Sequence, residues 1–92
     1  MKLTQLQYFK AVAETGRISL AAQKLFVSAP AVSIAIANLE KELGTKLFDR
    51  SNNKIILNEQ GRVYLDRVNQ ILADLDDAKE ALQEMNAEIE TV

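Results

Sequence analysis

The apolar residues of the chain recur at helical spacing in several separate segments. The first segment has one apolar face, made by Leu6, Phe9, Val12 and Ala13. Thr4 and Gln7 stand at the spacing of a capping box, in which each side chain bonds the backbone N–H of the other residue. Gly16 follows and readily takes the left-handed conformation that ends a helix. The pattern therefore predicts a first helix between Thr4 and Gly16.

Two further helices are predicted directly after this one. Ser19 is a favourable N-cap for a short helix that runs through Phe26. Ser28 is a favourable N-cap for a third helix, with Pro30 in its first turn and Gly44 at its end. A buried stripe follows at four-three-four spacing, made by Val32, Ile36, Leu39 and Leu43. A short helix, a tight turn and a second helix in this order are typical of a helix-turn-helix.

The next segment predicts a β-hairpin. A strand that begins with Leu47 and Phe48 ends at Arg50, turn-forming residues follow at 51–53, and a second strand runs over 54–57. A two-stranded hairpin is only marginally stable alone, so Ile55 or Leu57 of the second strand must pack on the helices. In a helix-turn-helix protein such a hairpin is a wing.

The last segment predicts one long helix. Asn58 is a favourable N-cap, and Glu59 stands at the positive end of the helix dipole. Its apolar positions alternate at intervals of four and three, and they are Tyr64, Val68, Ile71, Leu75, Ala78, Leu82, Met85 and Ile89. Such a heptad stripe predicts pairing with a second copy of the helix. The alternative is an amphipathic helix that folds back on its own domain.

These elements together predict a mainly α fold. We expect a winged helix-turn-helix, with three helices and a two-stranded β-hairpin wing, in residues 1–58. A long dimerising linker helix is expected in residues 59–92. The order of the elements makes double-stranded DNA the first partner to consider.

The charge of the chain is divided unevenly between its two parts. The overall net charge is −2, which is unusual for a protein that binds DNA. Residues 1–62 hold nine Lys and Arg against five Asp and Glu, a net charge of +4, whereas residues 63–92 hold two against eight, a net charge of −6. This asymmetry predicts a basic surface on the first part and a last helix that faces something other than phosphate.

The composition argues against an enzyme. The sequence contains no histidine and no cysteine, so it cannot form the usual catalytic triads, a disulfide or the common zinc sites. We therefore expect no cofactor, no metal, no catalytic residue and no small-molecule site in this chain. Apolar runs are too short to span a membrane and no leader segment is evident, which favours a cytoplasmic, nucleoid-associated protein.

The chain resembles the DNA-binding domain of LysR-type transcriptional regulators over nearly its whole length. Five motifs in order carry the resemblance: LxQLxYFxxVAExG at 3–16, SLAAQKLFVS at 19–28, PAVS at 30–33, LEKELGTKLFDR at 39–50 and LNEQG at 57–61. The resemblance implies a homodimer through the linker helix, usually antiparallel. It also implies a tetramer as one possible state of a full-length protein, and an effector-binding domain that is absent from this chain.

The residues and the resemblance together assign a DNA-binding set. The members are Arg17, Ser19, Lys24, Ser28, Ala29, Pro30, Ser33, Ile34, Asn38, Arg50, Asn53 and Lys54. Many family members have glutamine in place of Ala29 and arginine or a polar residue in place of Ile34. Alanine and isoleucine offer only apolar contact, for instance to a thymine methyl group. We therefore expect a partly palindromic site with A/T-rich half-sites.

A second hypothesis is that the chain is a protein-interaction module. The segment Ala29–Asn38 holds no lysine or arginine, and the last helix is acidic. Both features are compatible with a helix-turn-helix that has lost much of its DNA recognition and acts through dimerisation.

Overall fold

Four helices and a two-stranded sheet form the computed structural model of the chain. It describes residues 1–52 and 54–91, although nothing is described of the side chains of 88–91. The elements are α1 (Leu3–Thr15), α2 (Ile18–Leu25), α3 (Ala29–Leu43), β1 (Phe48–Ser51), β2 (Lys54–Leu57) and α4 (Glu59–Thr91). This confirms the mainly α fold that the sequence predicts, with a hairpin between the third and fourth helices.

The start of α1 differs from the sequence prediction. The Lys2 N–H donates to Gln5 Oε1 over 2.9 Å, so Lys2 is the N-cap and Thr4 lies inside the first turn. The predicted capping box of Thr4 and Gln7 is therefore wrong, because the glutamine at position 5 already reaches back to the chain before the helix. The predicted end is confirmed, since Gly16 takes a φ of 73° as the C-cap.

The bounds of α2 also differ from the prediction. The Arg17 carbonyl already accepts the Ala21 N–H over 3.0 Å, so Arg17 is the N-cap and Ser19 stands within the first turn. At the other end Phe26 is the C-cap, with a φ of 59°, rather than the last helical residue. The chain turns within two residues after α1, which leaves no room for a cap at Ser19.

The caps of the later helices are as predicted. Ser28 Oγ accepts the Ala31 N–H over 3.2 Å at the start of α3, and Gly44 ends that helix with a φ of 72°. Asn58 Oδ1 accepts the Gly61 N–H over 2.7 Å at the start of α4. These side chains satisfy N–H groups that have no partner inside their helices.

The core is built around Phe9. Its ring centroid lies 5.4 Å from that of Phe48 on β1 and 5.4 Å from that of Tyr64 on α4. Burial raises the pKa of the Tyr64 hydroxyl, with a smaller effect of the Glu42 carboxylate in the same direction. The buried apolar residues are Leu6, Phe9, Ala11, Val12, Ala21, Ala22, Val32, Ile36, Leu39, Leu47, Phe48, Ile55 and Val68.

The hairpin is tied to the helices from its second strand. β1 and β2 pair antiparallel, with Phe48 opposite Leu57 and Arg50 opposite Ile55. Ile55 is buried, and its N–H donates to the Gly16 carbonyl over 3.2 Å. The wing therefore packs against the turn between α1 and α2, as the marginal stability of an isolated hairpin requires.

The segment before the hairpin is held by hydrogen bonds from both sides. The Leu47 N–H donates to Glu40 Oε2 over 2.7 Å, and the Leu47 carbonyl accepts the Asn58 N–H over 3.0 Å. Asn58 Nδ2 also donates to the Lys46 carbonyl over 2.9 Å. These contacts join α3, the hairpin and the start of α4 around Leu47.

The first turns of α4 belong to the domain core, and the remainder leaves it. Val68 is 0% exposed and Leu72 is partly buried against the core, whereas Leu75 is 46% exposed. The packed unit therefore extends past residue 58, where the sequence placed its end. Val68 was predicted to lie in a dimer interface, and this is wrong for the described structure because its side chain is fully covered within its own domain.

We predict that Gly61→Ala strongly destabilises the fold. A Cβ at this position would overlap the Leu47 carbonyl oxygen and lie 2.8 Å from Leu57 Cδ2. A backbone carbonyl cannot move aside as a flexible side chain can. We therefore expect the free energy of unfolding to fall by about 1–3 kcal/mol or more. Urea denaturation measures the loss. Gln60→Ala, a change at the exposed neighbouring position, should leave the midpoint nearly unchanged; equal stability of the two variants would contradict the prediction.

A second prediction concerns the buried carboxylate. Glu40→Ala leaves the buried Leu47 N–H without its acceptor, which should lower the free energy of unfolding by about 1–3 kcal/mol. Glu40→Gln retains an oxygen acceptor and should recover most of this loss. Thermal or urea unfolding of the two variants compares them directly, and a glutamine variant no more stable than the alanine variant would show that the hydrogen bond is unimportant.

Candidate nucleic-acid interface

The second and third helices form the angle that a helix-turn-helix requires. α2 and α3 are bent by 108° at the break between them, within the usual range of about 90–120°. In the described part of the chain, no single helix is long and apolar enough to cross a membrane. α2 and α3 reach that length and composition only as this bent pair.

The two faces of α3 have different roles. Val32, Ile36 and Leu39 are fully buried and fix the helix to α1 and α2. The opposite face carries Ile34, which is 61% exposed, and Asn38, which is also exposed. The core therefore holds α3 so that a surface without charged side chains over Ala29–Asn38 faces outward.

The domain also has a cationic cleft. It has a volume of about 720 Å³ between the start of α2 and the hairpin, and Arg17, Ser19, Arg50 and Lys54 are among its lining residues. Within residues 1–52 and 54–87, none of the three cationic side chains has a carboxylate partner within ion-pair distance. We name this feature the Arg17 cleft.

The start of α2 adds to the positive character of the Arg17 cleft. The first N–H groups of a helix have no acceptor inside the helix, and they stand at the positive end of its dipole. Arg17, the N-cap, makes no capping hydrogen bond with its side chain. Ile18 and Ser19 of this first turn line the cleft. The arrangement is chemically suited to an anion with several oxygen acceptors, such as a phosphodiester.

The structure divides the predicted DNA-binding residues among three places. The Arg17 cleft holds Arg17, Ser19, Arg50 and Lys54. The start and the outward side of α3 hold Ser28, Ala29, Pro30, Ser33, Ile34 and Asn38, of which Ala29 and Ser33 are half-buried. Lys24 of α2 does not line the cleft, and its Nζ lies 3.6 Å from Glu14 Oε2. Asn53 lies outside the described residues.

Sequence reasoning missed two exposed residues, one in the hairpin and one at the end of α2. Asn52 lines the Arg17 cleft with a φ of 50°, a conformation that asparagine tolerates in tight turns. Phe26 is 94% exposed and was predicted to close the second helix. The signal was present for Phe26, since Ala21, Ala22 and Leu25 already fill the inward face of α2 and leave the next position outside it.

The exposed part of α4 carries an apolar stripe. Its exposed positions are separated by four or three residues, and they are Ile71, Leu75, Ala78, Leu82 and Met85. Tyr64, the first residue of the predicted dimer set, is half-buried against Phe9, and the side chain of Ile89, the last, lies outside the description. A stripe of this kind leaves apolar area in water unless another surface covers it.

The described residues hold no cluster of three or more Asp, Glu, His or Cys that could bind a metal ion. The domain offers cations and free N–H groups in the Arg17 cleft and a neutral, partly apolar outward face on α3. It is therefore equipped to bind an anionic backbone and to touch uncharged groups next to it.

Comparison with known proteins identifies one family of DNA-binding regulators. The model of the bacterial regulatory helix-turn-helix proteins of the lysR family matches residues 3–62. A helix-turn-helix transcriptional regulator from the ibpB-leuC intergenic region of Azotobacter vinelandii is 44% identical over 89 residues, which are 97% of this chain and 62% of that protein. The regulator BsdA of Bacillus subtilis is 39% identical over 90 residues, 97% of this chain and 31% of BsdA.

Solved structures are also similar to this chain. The DNA-binding domain of CbnR in a complex with DNA is 34% identical, with a TM-score of 0.87 over 92% of this chain and 98% of that chain. The DNA-binding domain of BenM with catB site 1 DNA is 30% identical, with a TM-score of 0.90 over 95% and 94% of the two chains. The matching family is one of regulatory proteins, and the curated relatives are named as transcriptional regulators rather than enzymes. On the family match and these relatives, the chain belongs to the LysR family of bacterial regulatory helix-turn-helix proteins.

Proposed function

We propose that the chain is the DNA-binding and dimerising part of a transcription regulator that binds a partly palindromic operator. The observation that carries the proposal is the Arg17 cleft, which gathers three cations at the start of α2, the first helix of the helix-turn-helix. The similarity to the DNA-bound domains of CbnR and BenM supports it. Residues 1–58 with the first turns of α4 would be the DNA-binding unit, and the rest of α4 would be the linker.

The Arg17 cleft would hold the phosphate backbone. Arg17 and the free N–H groups of α2 would face a phosphate from one side, and Arg50 and Lys54 from the other. Such contacts position a protein on the duplex and carry no sequence information themselves. Ser28 Oγ accepts the Ala31 N–H as a cap, and its O–H group would still be able to donate to a phosphate at the start of α3.

The exposed stripe of α4 supports a homodimer through the linker helix. α4 is 33 residues long, or about 50 Å at 1.5 Å per residue, and only its first turns pack on the domain. A second copy of the helix offers the same apolar spacing and would cover Ile71, Leu75, Ala78, Leu82 and Met85. Pairing would place two DNA-binding units on one duplex, which raises the effective concentration of the second unit.

The oligomeric state, the cellular location and the regulation concern the full-length protein. The chain spans 62% of the A. vinelandii relative and about 30% of several others, so the activity of a full-length protein is a proposal. A tetramer in the full-length protein and action on the nucleoid in the cytoplasm follow from the same hypothesis. An effector-binding domain would supply regulation.

A protein-interaction module remains the second candidate. The observation that favours it is the lack of lysine and arginine over Ala29–Asn38, together with the acidic α4. Such a module would dimerise through α4 but bind DNA weakly, so affinity and oligomeric state separate the two functions.

We predict that the double variant Arg50→Ala, Lys54→Ala weakens DNA binding and lowers its salt dependence. Each lost phosphate contact reduces the slope of log affinity against log salt by about 0.9, so the slope should fall by about 2. Fluorescence anisotropy over a series of salt concentrations gives the slope. The control is Lys41→Ala, Lys79→Ala, which removes the same charge outside the Arg17 cleft and should keep the slope. Unchanged binding by the first variant would favour the interaction module.

We predict that Leu75→Asp converts the dimer into a monomer. The substitution places a carboxylate in the middle of the apolar stripe, where pairing would bury it without a partner. Sedimentation velocity measures the mass. Asp76→Ala changes the adjacent exposed position outside the stripe and should leave the dimer intact. A Leu75→Asp protein that sediments as a dimer would show that the stripe packs on something else.

A further inference from the structure

In the proposed complex, affinity for DNA and selectivity between DNA sequences come from different parts of the protein. The cations are in the Arg17 cleft, and phosphates are the same at every base pair. Discrimination between sequences must therefore come largely from the outward face of α3. This face holds no lysine, arginine, glutamine or acidic side chain from Ala29 to Asn38.

Ile34 is the most prominent group on that face. It is 61% exposed, although the other large apolar residues of α3 are buried or half-buried. Nothing in the fold requires an isoleucine there, because Val32 and Ile36 on either side already fill the core. Its side chain offers only apolar contact to a base.

The base edges of the major groove present one kind of apolar group. This is the methyl group on C5 of a pyrimidine, which thymine carries and cytosine gains on 5-methylation. The other edge groups are hydrogen-bond donors and acceptors, which an isoleucine cannot satisfy. Asn38 lies one turn after Ile34 and is exposed, so a polar contact remains available beside the apolar one.

We propose that Ile34 is a specificity-determining residue that reads the 5-methyl group of a pyrimidine. Thymine and 5-methylcytosine are then accepted at the contacted position, and uracil and unmodified cytosine are disfavoured. Cytosine methylation would accordingly strengthen sites that are weak in their unmodified form. The inference rests on the proposed function, since it requires α3 to lie in the major groove.

The test begins with the dimeric protein and a random-sequence duplex library, from which a preferred duplex is selected. At each thymine of that duplex, versions are made with uracil, with 5-methylcytosine opposite guanine, and with cytosine opposite guanine. At one thymine per half-site, uracil should weaken binding about fourfold, which is the fold-change of one buried methyl group at about 0.8 kcal/mol. At that position 5-methylcytosine should bind more tightly than cytosine by a similar factor.

The variant Ile34→Ala identifies the reader of the methyl group. Alanine is a better helix former than isoleucine, so the exposed substitution keeps the fold. Because the alanine side chain is three carbon atoms smaller, the variant should lose most of the preference for the thymine duplex over the uracil duplex. The matched control is Val63→Ala on α4, whose side chain is 62% exposed and lies outside the interface; it should keep the thymine preference.

Three results would overturn the inference. One is equal binding of the thymine and uracil versions at every position by the unaltered protein. The second is a thymine preference that is undiminished in Ile34→Ala. The third is a library that yields no preferred sequence, and this result alone would also overturn the proposed function. If a preferred duplex is selected and its uracil versions bind as tightly as the thymine version, the proposed function stands and only the inference about Ile34 fails.

Discussion

The arrangement of the domain depends on how the peptide groups of Leu47 are held. Its N–H is bound by the buried Glu40 carboxylate of α3, and its carbonyl is bound by the N–H of Asn58 at the start of α4. Gly61 then packs so closely on the same carbonyl that no side chain fits between them. Because buried peptide groups are costly to leave unpaired, these contacts fix the hairpin and the long helix relative to α3.

The interface follows from that constraint. The hairpin leaves this point and is tied a second time by the bond from the Ile55 N–H to the Gly16 carbonyl. This bond sets Arg50 and Lys54 across from Arg17, although they are more than thirty residues apart in the chain. The cations thus lie in the cleft between α2 and the hairpin rather than on the outer face of α3. A neutral helix can then touch bases while its neighbours supply the attraction to the backbone.

Much of the fold follows from local patterns in the sequence. Gly16, Gly44, Ser28 and Asn58 end or begin helices as predicted, because a cap depends on residues that are close in the chain. The caps at Thr4 and Ser19 were predicted wrongly. Both helices begin two residues earlier, after the N-caps Lys2 and Arg17, which a rule based on hydroxyl residues cannot detect.

The sequence by itself determined the order of the elements, the buried faces of α1 and α3, and the heptad stripe of α4. Each of these depends on spacing along one segment. Only the tertiary structure decided that Val68 belongs to the core, that Phe26 is exposed, and that Arg17 and Arg50 line one cleft. A heptad pattern marks an apolar face but does not say which surface covers it. That choice is made by packing between distant segments, where the burial of apolar area and the pairing of buried peptide groups must be satisfied together.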